Sequence, residues 1–154
     1  MTVTEFLKQE EIQELLASND METVCFNWET KSGQNLRPLV KFFELNGINP
    51  LEYMTMIPNG YFYFNPATTV IIPEGVETIH SNAFYRCRDL EEIHIPHSVK
   101  DIYKYAINMC IHLNKIVYDG TAKEFNEISD NAFSTEAVSI VCTDQTIEYE
   151  YLDN

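Results

Sequence analysis

The sequence predicts an α+β protein, with a helical N-terminal cap followed by a short repeat solenoid that carries a small parallel β-sheet. Three observations predict it. The first is an echo of 23 residues through the second half of the chain. Ile72-Pro73 returns as Ile95-Pro96, Val76 as Val99, Ile79 as Ile102, Ala83 as Ala106, Cys87 as Cys110, Leu90 as Leu113 and Ile93 as Ile116. A fixed period of this size marks a solenoid, in which each coil buries its apolar face against its neighbours. Second, β-rich runs recur at 69–72, 92–95, 115–118 and 138–141. Third, apolar residues before position 65 follow a helical period instead. Residues 1–64 are therefore expected to form a helical capping segment, and residues 65–154 the repeat.

The elements follow in order. Thr2 and Glu5 match a capping box that opens a first helix with Phe6, Ile12, Leu15 and Leu16 along one face. Met21, Val24, Cys25 and Trp28 fit a second helix at i, i+3, i+4, i+7 spacing, and Leu39, Val40 and Phe43 a third. Gly47 suits a left-handed C-terminal cap, and Asn49-Pro50 an N-cap with Pro at the first helical position. Ile57-Pro58-Asn59-Gly60 reads as a turn. Tyr61-Phe62-Tyr63-Phe64 lacks polar alternation, so both its faces are expected to be covered. In the repeat, 81–86 and 104–109 are expected to be single helical turns that carry Ala-Phe and Ala-Ile inward.

Composition narrows the function classes. The net charge is −14, from 24 acids and 10 bases. The acid excess grows toward the C-terminus, where Asp144, Glu148, Glu150 and Asp153 meet no base. Such a surface repels nucleic acid and anionic membrane and favours basic partners. No stretch is long and apolar enough to cross a membrane, and Met1–Glu5 lacks a signal-peptide pattern, so a cytoplasmic, reduced protein is expected. Cys25, Cys87, Cys110 and Cys142 show no CxxC spacing. Cys87 and Cys110 share one repeat position, where a small buried thiol suits the inside of a tight corner better than a disulfide does.

The repeat resembles the BspA-like leucine-rich repeat. Its pattern I-P-x-x-V-x-x-I, then A-F, then C-x-x-L-x-x-I, is matched from Ile72 to Ile93 and again from Ile95 to Ile116, with Ile107 in the aromatic place. Tyr118-Asp119-Gly120-Thr121, Glu124–Ile128 with Phe125, and Ser139–Asp144 are similar to the terminal segment of such arrays. The resemblance covers about residues 68–147 and implies a leucine-rich-repeat solenoid that binds proteins.

Catalytic and metal chemistry find little support in the residues. No nucleophile, phosphate-loop or zincin motif occurs, so no enzyme and no cofactor is expected. His80, His94, His97 and His112 fall at different repeat positions and are expected to face solvent rather than a metal. The outward strand positions are more informative. They form one column of Thr69, Glu92, Lys115 and Val138 and a second of Ile71, His94, Val117 and Ile140. Three aliphatics in one outward column suggest an interface, either with a partner or with the helical N-terminal segment folded over this face. Glu92, His94, Lys115 and Val117 are thus the candidate partner-binding residues. The expected function is a non-enzymatic protein-interaction module, encoded by a phage or mobile element, that binds or inhibits a basic host protein without contacting nucleic acid or membrane. Self-pairing as a homodimer through the same face is also open. The alternatives are an acidic mimic of nucleic acid that blocks a basic groove and, more weakly, a relic of a surface adhesin.

Overall fold

The computed structural model describes residues 47, 49–134 and 137–150. The helices expected before Gly47 lie outside the described residues. Gly47 has φ +71°, a left-handed conformation, while the helix it was expected to close lies outside the described residues. Asn49 caps the 3-10 turn Pro50–Tyr53, as expected, by accepting from the Leu51 amide at 3.1 Å.

The chain then winds as a solenoid with one sheet on each of three sides. The strands β1 (Met56–Ile57), β3 (Thr78–Ile79) and β5 (Asp101–Ile102) form a parallel sheet in the order β1-β3-β5. A second sheet is built from β2 (Thr69–Ile71), β4 (Glu92–Ile95), β7 (Lys115–Tyr118), β9 (Ala137–Val141) and β10 (Thr146–Glu150), in the order β10-β9-β7-β4-β2. The third pairs β6 (Ile107–Asn108) with β8 (Phe133–Ser134). Parallel strands need no long crossover here, because each coil brings the chain back beside its own start.

Repeat positions become columns in the core. Ile57, Ile79 and Ile102 are stacked by the first sheet, and Val70, Ile93, Ile116 and Ile140 by the second. All are buried, as are Leu90 and Leu113. Each such aliphatic contributes roughly 1.5–3 kcal/mol by leaving water. Cys87 and Cys110 are free, buried thiols; their Sγ atoms donate to the carbonyls of Phe62 (2.8 Å) and Phe84 (2.9 Å), one coil back in each case. The neighbouring Cys87 sulfur and then burial push the Cys110 thiol upward.

The stack already includes residues 56–65. Gly60, Phe62 and Phe64 donate backbone N–H bonds to the carbonyls of Asn82, Ala83 and Tyr85, as Asn82, Phe84 and Arg86 donate to Tyr105, Ala106 and Asn108. The aromatic run is thus one more copy of the repeat's corner. Phe62 stacks on Phe84 at 4.6 Å, but Tyr63 and Phe64 point outward, contrary to the expectation that both faces are covered.

The corners themselves also differ from the expected helical turns. Asn82, Tyr105 and Asn131 have positive φ, and so do Phe64, Arg86 and Met109, each four residues after the preceding Gly60, Asn82 or Tyr105. A left-handed residue breaks the helical hydrogen-bond register, so the amides turn toward the next coil instead. In the second of these corners Ile107–Asn108 enters a strand pairing.

The period fails between β7 and β9, where helix α1 (Ala122–Ile128) is inserted. Thr121 and Glu124 cap it reciprocally. The Thr121 hydroxyl accepts from the Glu124 amide at 3.3 Å, and the Glu124 carboxylate accepts from the Thr121 amide at 2.7 Å. That backbone bond, then the bond to the Thr121 hydroxyl and that to His97, hold the Glu124 carboxyl down to about 2. Gly120 precedes the cap, and a Cβ there would meet the buried Tyr118 ring at 2.5 Å. Beyond β9 the chain turns back on itself, and β10 closes that side of the second sheet as an antiparallel strand.

Candidate interaction surface on the five-stranded sheet

The second sheet alternates strictly, as a sheet with one buried face must. In β4 and β7 the burial pattern places Glu92, His94, Lys115 and Val117 outward and Ile93, Ile95, Ile116 and Tyr118 inward. The register sets Glu92 beside Lys115 and His94 beside Val117, so the four candidate residues are neighbours on one face. Thr69 and Ile71 precede them in the same two columns.

The far end of those columns differs from the sequence expectation. Lys115 pairs with Ser139 and Val117 with Val141, whereas Val138 and Ile140 are buried. The spacing from β7 to β9 is 24 rather than 23 because α1 occupies that coil, and a shift of one residue exchanges the faces of a strand. The second outward column is therefore Ile71, His94, Val117 and Val141, still with three aliphatics. β10 extends both columns: Glu148 stands beside Ser139, which donates to it at 2.6 Å, and Thr146 stands beside Val141. Glu148 and Glu150 thus give the edge strand outward charges, which discourage edge-to-edge pairing.

The face is electrostatically knit. His94 Nε2 and Glu92 Oε1 are 2.5 Å apart, and Lys115 Nζ lies 3.4 Å from the same carboxylate oxygen. The His94 bond, then Lys115, hold the Glu92 carboxyl below its usual range. These contacts position a mixed surface on a rigid sheet. The other histidines are dispersed. His97 pairs with Glu124 at 3.2 Å, and His112 bonds the Arg88 carbonyl at 2.6 Å. His80, expected to face solvent, is buried with its ring 5.0 Å from that of Tyr103, because it closes the coil after β3. Among the described residues no group of three histidines, cysteines or carboxylates converges as metal ligands.

Two features, one at the start of α1 and one on the sheet edge, were not anticipated from the sequence. The Thr121-x-x-Glu124 capping box was signalled by its spacing alone. The outward acids of β10 were signalled by the alternation of Thr146, Glu148 and Glu150 with Ile147 and Tyr149.

A family model described as a BspA type leucine-rich repeat region matches the chain in six copies over residues 55–151. No curated protein and no solved structure matches it.

Proposed function

Because this chain belongs to the BspA-type leucine-rich repeat family, we propose that it is a non-enzymatic protein-interaction module that binds a basic protein partner through the outer face of the five-stranded sheet. One observation carries the reading: Ile71, His94, Val117 and Val141 form an outward column across four hydrogen-bonded strands. Side chains fixed on a sheet lose little entropy when a partner docks. Glu92, Glu148 and Glu150 supply the acidic surround that would steer a basic partner and speed its association. In this reading the chain works in the cytoplasm, is encoded by a phage or mobile element, and occupies a host protein. The net charge of −14 supports the choice of a basic partner.

The same acids favour a second reading, in which the β10 edge mimics nucleic acid and blocks a basic groove. Salt separates the two. A mimic loses capture steeply as ionic strength rises, whereas an interface centred on Val117 retains it. The decisive variant is His94→Asp with Val117→Asp, shown by circular dichroism to remain folded. Capture of the partner from host lysate should fall by about tenfold or more, equivalent to about 1.4 kcal/mol or more. A homodimer formed through this face would dissociate in the same variant, as seen by light scattering. If capture and oligomeric state are both unchanged, the sheet face is not the site.

A further inference from the structure

We propose that the outer corner of the coils, a different face from the five-stranded sheet, is a docking surface for an acidic segment of a partner protein. The corner's second left-handed column holds Phe64, Arg86 and Met109, with φ of 55°, 56° and 58°. Gly or Asn would adopt that conformation with less strain, and the chain uses Gly60, Asn82 and Asn131 at three of the four positions of its first left-handed column. Bulky residues in a strained column, exposed at Phe64 and Met109 and half-buried at Arg86, need a reason beyond the fold, and backbone strain concentrates at functional sites.

Exposure and chemistry supply that reason. Tyr63 is 51% exposed, Phe64 47% and Met109 43%. The rings of Tyr63 and Tyr85 stack in parallel at 5.4 Å, and the Arg86 guanidinium lies over both Phe64 (5.7 Å) and Tyr85 (5.1 Å). Tyrosine, phenylalanine, methionine and arginine are the residues enriched at the centres of protein interfaces.

Charge indicates the occupant. Lys100, Lys115 and Lys123 each lie within 4.0 Å of a carboxylate. Among the described residues Arg86, Arg88 and Lys104 pair with none, although the chain carries 24 acids. Lys104 instead sits over the Tyr105 ring at 4.8 Å, and Nε of Arg86 is buried without a hydrogen-bond partner. A guanidinium set over two rings and paired with no carboxylate of its own can take one from a partner, and the rings beside it offer apolar area. The fitting ligand is a segment that presents Asp or Glu next to an aromatic or aliphatic side chain.

The test uses the full chain and a display library of random peptides, panned in parallel on the wild type and on Arg86→Gly with Met109→Gly. Glycine relieves the left-handed strain at both positions, so the variant should melt no lower than the wild type, and any loss of binding is not a loss of fold. Peptides that bind the wild type and not the variant should carry carboxylates beside apolar residues. They should bind His94→Asp with Val117→Asp as well as the wild type, which separates this surface from the sheet face. Affinity for the Arg86→Gly variant should fall by about tenfold or more. The proposal is overturned if no peptide distinguishes wild type from variant, if the distinguishing peptides are basic or lack carboxylates, or if the wild type self-associates and the variant does not, which would make the occupant a second copy.

Discussion

At the scale of single residues, the backbone at the coil corners governs which substitutions should help. Gly60, Asn82, Tyr105 and Asn131 occupy equivalent left-handed positions, and only Tyr105 carries a bulky side chain there. A left-handed conformation costs an ordinary L-residue roughly 1–2 kcal/mol, and asparagine pays less of that through local hydrogen bonding. Tyr105 is exposed, and its ring contact is with the equally exposed Lys104, so little packing is lost on replacing it. Tyr105→Asn should therefore stabilise the fold by about 1 kcal/mol, and urea unfolding would show the midpoint rise; a fall would mean that the Lys104 contact outweighs the strain. The residue scale was only partly legible in the sequence. Cys87 and Cys110 declared their shared corner position by spacing, and their bonds to carbonyls one coil back fit it. The left-handed residues did not declare themselves, because Phe64, Arg86, Met109 and Tyr105 are types that a propensity argument never assigns to positive φ.

Among the elements, α1 shows how one insertion redirects a repeat. The 23-residue echo predicted β4 and β7 to the residue and β2 to within one residue at its end, and with them the grouping of Glu92, His94, Lys115 and Val117. It misassigned β9 because the extra length of the α1 coil is invisible to a period, and one residue of slip puts Val138 and Ile140 in the core. The first corner was missed for a related reason: Gly60 precedes Asn82 by 22 residues, and Tyr61-Phe62 replaces the Ala-Phe that marks the later copy. The cap of α1 carries a pH prediction. The Glu124 carboxyl falls from an ordinary 4.5 to about 2, chiefly through its bond from the Thr121 amide. Its folded value lies below its unfolded value, so the ionised cap stabilises fully above about pH 4.5, and that contribution is lost as pH falls from there toward 2. Glu124→Gln should accordingly melt below the wild type near neutral pH, and the gap should close as pH falls through that window. A gap that stays constant down to pH 2 would show that the carboxylate's charge is not what holds the helix start.

For the whole molecule, the stacked coils make stability a sum over neighbours, so an end coil matters as much for what it covers as for itself. Residues 56–65 form such a coil. Ile57 lies fully buried beside Ile79, Leu51 is buried as well, and Phe62 lies flat on Phe84. Removing everything before residue 66 strips these contacts and exposes the apolar sides of Ile79 and Phe84 together. It also leaves β3 without its β1 partner, which frees the amide bonds from Glu77 and Thr78 to the Thr55 carbonyl and from His80 to the Ile57 carbonyl. Burial of Ile57 and Leu51 alone is worth roughly 3–6 kcal/mol at about 1.5–3 kcal/mol each, comparable with the 5–15 kcal/mol that holds an ordinary domain together. A chain of residues 66–154 should therefore melt broadly and far below the full protein, with weak near-ultraviolet circular dichroism. A sharp melt at the temperature of the full chain would show instead that the later coils, α1 and the β9–β10 hairpin close the core without help from the first coil.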